Sequence, residues 1–170
     1  IIDDQKRTVE SQKEAVESQK EKIELQHLEL EETHKEINDS IKYAERLQLA
    51  ILPSKEDLQQ NLGESFVLFQ PKDIVSGDFY WTQEVKNEIY FAVADCTGHG
   101  VPGALVSVVC SNALNRSVKE FNLQRPKDIL NKTRELVIET FAQSGENVKD
   151  GMDVALIKRG KETILSLIHI

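Results

Sequence analysis

The sequence lacks the defining features of several protein classes. It has no run of about 18 apolar residues to span a bilayer, and its first residues, IIDDQKRTVE, lack the basic start and apolar centre of a signal peptide. Its net charge of −8 comes without a clustered basic face, which argues against nucleic-acid binding. Its two cysteines, with no histidine pair at metal-ligand spacing, indicate neither a disulfide framework nor a zinc site. We therefore expect a soluble, cytoplasmic protein.

Glycine and proline are absent from residues 1–52, which predicts one long helix. Apolar residues recur there at every seventh position, the period of a left-handed coiled coil. These are Ile2, Val9, Val16, Ile23, Leu30, Ile37, Ala44 and Ile51. Their β-branched character favours a parallel homodimer. Most residues three positions further on are polar (Gln5, Gln12, Gln19, Gln26, Thr33, Ser40), so association should be weak, as suits a signal transmitter. A lone charged helix is the alternative.

Beyond Pro53 the pattern changes to that of a globular domain, which we place at residues 53–170. Strand-like segments are predicted at 65–71, 78–85 and 88–95. Two amphipathic helices follow at 102–121 and 125–143, and two more strands at 152–158 and 162–168. This order predicts an α+β fold with antiparallel pairing rather than a doubly wound nucleotide-binding fold.

Two aspartates stand at the ends of the predicted hairpin. If the hairpin turns on Lys86 and Asn87, counting outwards places Asp78 directly opposite Asp95. Opposed carboxylates repel, so a cation between them or a proton on one of them is expected. Two carboxylates with backbone carbonyl and water suit Mg²⁺ or Mn²⁺. A one-residue slip of the turn would separate them and leave two unrelated boundary residues.

The segment VADCTGHGVPGALVS follows the second of these strands directly. Gly98, Gly100 and Gly103 allow the main chain to come close to a ligand. Pro102 begins a helix whose N-terminal amides favour an anion. Carboxylates, a metal and an anion site side by side indicate phosphoryl chemistry.

Three motifs, PKDIVSGDFYW, VADCTGHGVPGALVS and DGMDVALI, resemble in order and spacing the metal-dependent (PPM-type) protein phosphatases of the bacterial SpoIIE-like branch. The stretch SIKYAERLQLAILPS also resembles the segment that joins a signalling coiled coil to that domain. The resemblance implies an antiparallel β-sandwich flanked by helices, here incomplete. It also implies a hydrolase of phosphoserine and phosphothreonine on a regulatory protein in bacterial signal transduction.

The resemblance further implies two Mn²⁺ or Mg²⁺ ions that activate a bridging water. Asp95 would bridge the ions, the backbone carbonyl of Cys96 would complete one site, and Asp78 would ligate directly or through water. Asp153, at the start of a strand, is a further candidate at the metal rim. The Cys96 thiol is not expected to act as a nucleophile.

The glycine-rich loop of the second motif would lie beside the phosphate, with Gly98, His99 and Gly100 as its candidate residues. For His99 two roles are open: a general acid, or a loop residue held by a backbone hydrogen bond. Further aspartates that complete the metal sites in the family have no counterpart in this chain. We therefore expect the fragment itself to be almost inactive and its parent protein to be an enzyme. The alternative is a catalytically inactive dimeric signalling scaffold that binds a regulatory partner.

Overall fold

The computed structural model describes residues 2–142, 150–160 and 164–169. Its helices are α1 (Ile2–Leu49), α2 (Lys55–Leu62), α3 (Gly100–Lys119) and α4 (Pro126–Ala142). Its strands are β1 (Phe79–Val85), β2 (Glu88–Cys96), β3 (Met152–Arg159) and β4 (Ile164–His169). The α+β class with antiparallel pairing is thus confirmed. Across these described ranges, no helix combines the length and the apolar character needed to cross a bilayer.

The long N-terminal helix is confirmed as one continuous element. By its contacts the chain divides into a unit of residues 1–40 and a compact unit of residues 41–170, and the predicted boundary after residue 52 lies just past the end of α1. The seven-residue stripe lies on the surface of this single chain, where Val9, Val16 and Ile23 are 63–64% exposed. The hydroxyl of Ser40 donates to a carbonyl of its own helix, that of Glu36.

The strands form one sheet in the order β1-β2-β3-β4, with every pair antiparallel. In the described ranges there is thus one sheet, where the expected sandwich has two. Alternate strand residues face the two helices α3 and α4 and are buried, whereas their neighbours face the other way. Buried residues on the helix side of the sheet are Phe79, Trp81, Tyr90, Ala92, Ala94, Cys96, Val154 and Leu156.

Two segments differ from the sequence prediction. Residues 65–71, predicted as a strand, are not in a strand, and Phe66 is 91% exposed. The polar helix α2 was not predicted, although Ser54 and Asp57 form a capping box at its start: the Ser54 hydroxyl accepts from the Asp57 amide, and the Asp57 carboxylate accepts from the Ser54 amide. The other boundaries shift by a few residues, and residues 162 and 163 of the last predicted strand lie outside the described residues.

The hairpin between β1 and β2 turns as predicted on Lys86 and Asn87. Both have positive φ, 54° and 62°, as a two-residue type I′ turn requires. This turn matches the right-handed twist of the strands and fixes their register, so that Phe79 pairs with Ala94. Continuing this register by one position places Asp78, just before β1, opposite Asp95, as the sequence predicts, and the two carboxyl groups interact.

The Asn87→Val substitution should weaken the fold by about 1–3 kcal/mol, because a β-branched residue is strained at a positive φ. The Asn87→Gly variant is the matched control, since glycine adopts this conformation freely and should be neutral or slightly stabilising. Urea unfolding of both variants measures the difference. Equal stabilities for the two would contradict the type I′ turn and the register that depends on it.

Candidate active site

Asp78 and Asp95 form the centre of the site. Asp78 directly precedes β1, and Asp95 lies in β2 between the buried residues Ala94 and Cys96, so its side chain is on the sheet face away from the helices. Burial raises the pKa of the Asp78 carboxyl above its ordinary value of 3.8, and the charge of Asp95 and a side-chain hydrogen bond with it raise that pKa further. The Asp95 carboxylate is therefore close enough to disfavour ionisation of Asp78.

Asp153 extends this pair into a row across three strands. On β3 it is the register partner of Asp95. All three aspartates line one open cavity of about 620 Å³ on this sheet face. Within the described part of the chain, however, no three acidic, histidine or cysteine side chains come together closely enough to hold a metal ion. Asp153 thus lies next to the pair without completing a three-ligand cluster.

Cys96 presents its thiol to the core and its backbone to the site. The thiol is buried with that of Cys110; their hydrogen bond, with burial, raises the pKa of Cys96, which keeps it protonated. A nucleophilic role is thereby disfavoured, in agreement with the prediction. The Cys96 carbonyl lies beside Gly77: a Cβ placed on Gly77 would be 2.9 Å from its oxygen. Since Gly77 directly precedes Asp78, the Cys96 carbonyl lies next to the backbone that leads into Asp78.

The glycines of the loop serve close packing as well as backbone conformation. Gly98 and Gly100 have φ of +88° and +62°, which glycine adopts without strain. The carbonyl oxygen of Gly98 would be 2.6 Å from a Cβ on Gly77 and 2.5 Å from one on Gly103. The role predicted for Gly103, approach to a ligand, needs correction, because its close neighbour is the main chain of Gly98.

His99 is held by a carboxylate instead of the predicted backbone partner. It is the N-cap residue of α3 but makes no side-chain cap, and its Nδ1 lies 2.9 Å from Oδ2 of Asp73. The two side chains are exposed, so the pair joins the first and second motifs at the surface. Asp73 was missed by the sequence prediction, although its place in PKDIVSGDFYW, five residues before Asp78, is a signal that could have found it.

The third motif is joined to the same loop through Thr97 and Gly151. The Thr97 amide donates to the Gly151 carbonyl at 3.0 Å, and the Gly151 amide donates to the Thr97 hydroxyl at 3.1 Å. The structure thus brings all three sequence motifs together around Asp78 and Asp95. The carboxylate oxygens of Asp78 and Asp95 and the Cys96 carbonyl oxygen are ligands that suit a hard divalent cation. They form only part of a coordination shell, so water or substrate would fill the remaining coordination positions.

Comparison with known proteins identifies the fold. No protein-family model matches the sequence, and no curated protein matches it. Among solved structures, the SiaA-PP2C domain of Pseudomonas aeruginosa matches with a TM-score of 0.68 and 30% sequence identity, covering 79% of this chain. The chain spans 61% of that structure's length. The resemblance noted in the sequence is thus confirmed at the level of fold: the chain has a PP2C-like, that is PPM-type, architecture.

Proposed function

We propose that this chain carries part of the active site of a metal-dependent protein phosphatase of the SpoIIE-like branch, which hydrolyses phosphoserine and phosphothreonine on a regulatory protein in bacterial signalling. One observation carries the proposal: Asp78 and Asp95 face each other across the hairpin, beside the glycine loop, in a chain whose fold matches a PP2C domain. Two repelling carboxylates at the edge of an open cavity destabilise the metal-free fold, which is understandable if they bind a cation.

In this proposal, each group of residues has a distinct role in the site. Asp78 and Asp95, with the Cys96 carbonyl, would hold Mn²⁺ or Mg²⁺ through oxygen atoms. When bound, such ions supply Lewis-acid polarisation of a phosphoryl oxygen and a more acidic water. Gly98 and Gly100 shape the loop beside this site, and His99 between them is held by Asp73. Asp153 would add negative charge on the far side of Asp95.

The test is a calorimetric titration of the chain with Mn²⁺, together with phosphate release from a phosphoserine peptide by the whole protein. We expect Mn²⁺ to bind and the peptide to be hydrolysed, and both to be lost in Asp95→Ala. Metal binding without hydrolysis by the whole protein would favour the scaffold alternative. If neither the chain nor the whole protein binds Mn²⁺, the opposed carboxylates have a purely structural role and the proposal fails.

We also propose that residues 1–40 form a parallel two-stranded coiled coil that makes the protein a homodimer. The support is the apolar stripe at every seventh position, which a single helix leaves exposed. Ile23→Asp should raise the dimer dissociation constant, because it places a charge in the seam. Leu25→Asp is the matched control. Leu25 is apolar and exposed like Ile23, at 68%, but it lies outside the stripe. Sedimentation equilibrium that shows equal association for the two variants would contradict the coiled coil.

A further inference from the structure

Gln48 is a buried polar residue in the last turn of α1. It is only 4% exposed, and its amide makes three hydrogen bonds within the unit of residues 41–170. Nε2 donates to the carbonyl oxygen of Ser76 and, at 3.0 Å, to the hydroxyl of Ser107. Oε1 accepts from the Ser76 amide at 2.9 Å. One side chain thus pairs with both backbone groups of a single residue, as a neighbouring strand would.

The residue held in this way stands two positions before Asp78. The hydroxyl of Ser76 accepts a hydrogen bond from the Asp78 amide at 2.9 Å. Gly77, between them, packs against the carbonyl oxygens of Cys96 and Gly98 so closely that a side chain would not fit. The backbone leading into Asp78 is therefore fixed by Gln48 on one side and by the glycine loop on the other.

The remaining hydrogen bond of Gln48, to Ser107, reaches helix α3. Ser107 is fully buried in α3, and its hydroxyl donates to the Ala104 carbonyl at 2.8 Å, which leaves it free to accept from Gln48. Since α3 begins directly after the loop that carries Gly98 and His99, the amide links the backbone before Asp78 to this helix. In all, Gln48 joins three segments: the end of α1, the approach to Asp78 and α3.

We propose that Gln48 is a positioning residue for Asp78: its amide holds Ser76, which in turn holds the backbone of Asp78 in the position for metal binding. This inference rests on the proposed function. It makes metal affinity depend on the last turn of α1, because any movement that withdraws the amide releases both backbone groups of Ser76 and leaves buried polar atoms without partners.

The test compares Mn²⁺ affinity and thermal stability in the Gln48→Leu variant. Leucine keeps most of the volume and removes all three hydrogen bonds. We expect Mn²⁺ affinity to fall about 10-fold or more, since loss of the groups that orient metal ligands typically costs about 10- to 100-fold. Ser76→Ala, which removes the hydroxyl that accepts from the Asp78 amide, should give a similar loss. The double variant should lose little more than either single variant, because the two residues act in series.

A metal-free measurement and a matched control separate positioning from general destabilisation. Amide hydrogen exchange at Asp78 should become faster in Gln48→Leu. Thr133→Val removes another buried hydrogen bond, the 3.0 Å contact between Ser117 and Thr133 that joins α3 to α4. It should lower the melting temperature by an amount comparable to Gln48→Leu, yet leave Mn²⁺ affinity and Asp78 exchange unchanged.

The outcomes distinguish this inference from the function on which it rests. If the wild-type chain binds Mn²⁺ and Gln48→Leu binds it equally well, the positioning role is overturned and the proposed function stands. If Gln48→Leu and Thr133→Val lower Mn²⁺ affinity to the same extent, the effect is one of stability and the positioning role is again overturned. If neither the wild-type chain nor the whole protein binds Mn²⁺, both proposals fall.

Discussion

Replacing Asp95 with asparagine should abolish Mn²⁺ binding and, in metal-free buffer at pH 7, make the fold more stable. Both effects arise because Asp95 lies beside Asp78 and opposite its register partner Asp153. Directly opposed like charges destabilise an antiparallel pair, so removing one of them should increase the free energy of unfolding by about 0.2–1 kcal/mol. The same change removes a negatively charged ligand, which should cost more affinity than the about 10- to 100-fold typical of groups outside the ligand set.

The matched control is Glu84→Gln, at the other end of the same hairpin. It changes the net charge by the same amount at an exposed position whose register partner is the apolar Ile89. Thermal unfolding in EDTA and Mn²⁺ calorimetry should show neither effect in this variant. If Asp95→Asn were less stable than the wild type in EDTA, the two carboxylates would not be repelling each other and the metal centre would lose its main support.

The pH dependence provides an independent check of the same repulsion. Burial first, and Asp95 second, raise the pKa of Asp78 in the folded state above its unfolded value, so the folded state takes up the proton more readily. The metal-free wild type should therefore gain stability as the pH falls through the folded pKa of Asp78 towards its unfolded value. Asp95→Asn, without one cause of the shift, should gain less. The comparison is made above pH 4.5, since Glu88, whose pKa a hydrogen bond from Lys158 lowers, loses its own stabilising contribution only below that value.

The central pair could be predicted from the sequence because it depends on local rules. A two-residue turn fixes the register of a hairpin, and counting from Lys86 and Asn87 gives the partner of every residue in both strands. The same local reasoning places α3 and α4 within a few residues of their observed bounds. The alternation of strand residues between the two faces also explains why Phe79 and Trp81 are both buried.

The errors arise where structure depends on distant partners. Residues 65–71 have strand composition, but composition describes residues that suit a pleated sheet, and a strand forms only where a neighbour supplies the hydrogen bonds. Gln48 and Asp73 act through residues 26 to 59 positions away in sequence. Nothing in local periodicity indicates such pairs. A glutamine among the apolar residues of AERLQLAILPS was a visible irregularity, but its partners appear only in the folded chain.

The Gly103→Ala substitution should destabilise the protein even though alanine is the better helix former. Gly103 lies in α3, where alanine would ordinarily be favoured by about 1 kcal/mol. Here the added Cβ would lie 2.5 Å from the oxygen and 2.8 Å from the carbon of the Gly98 carbonyl, and 3.2 Å from the Cα of Gly77. These neighbours are backbone atoms, which cannot turn aside as a flexible side chain does. Overpacking of this kind costs about 1–3 kcal/mol.

The steric cost should exceed the gain in helix propensity, and the displaced loop should also weaken Mn²⁺ binding. Moving the Gly98 carbonyl shifts the backbone between Asp95 and α3. It also shifts Asp78, because Gly77, which directly precedes Asp78, packs against the same carbonyl. Gly151→Ala is the matched control, because a Cβ on Gly151 meets no atom within 4 Å although the residue borders the same site. Urea unfolding and Mn²⁺ titration of both variants decide the matter. A Gly103→Ala protein as stable as the wild type would show that the loop can yield, and that close glycine packing does not hold the two carboxylates together.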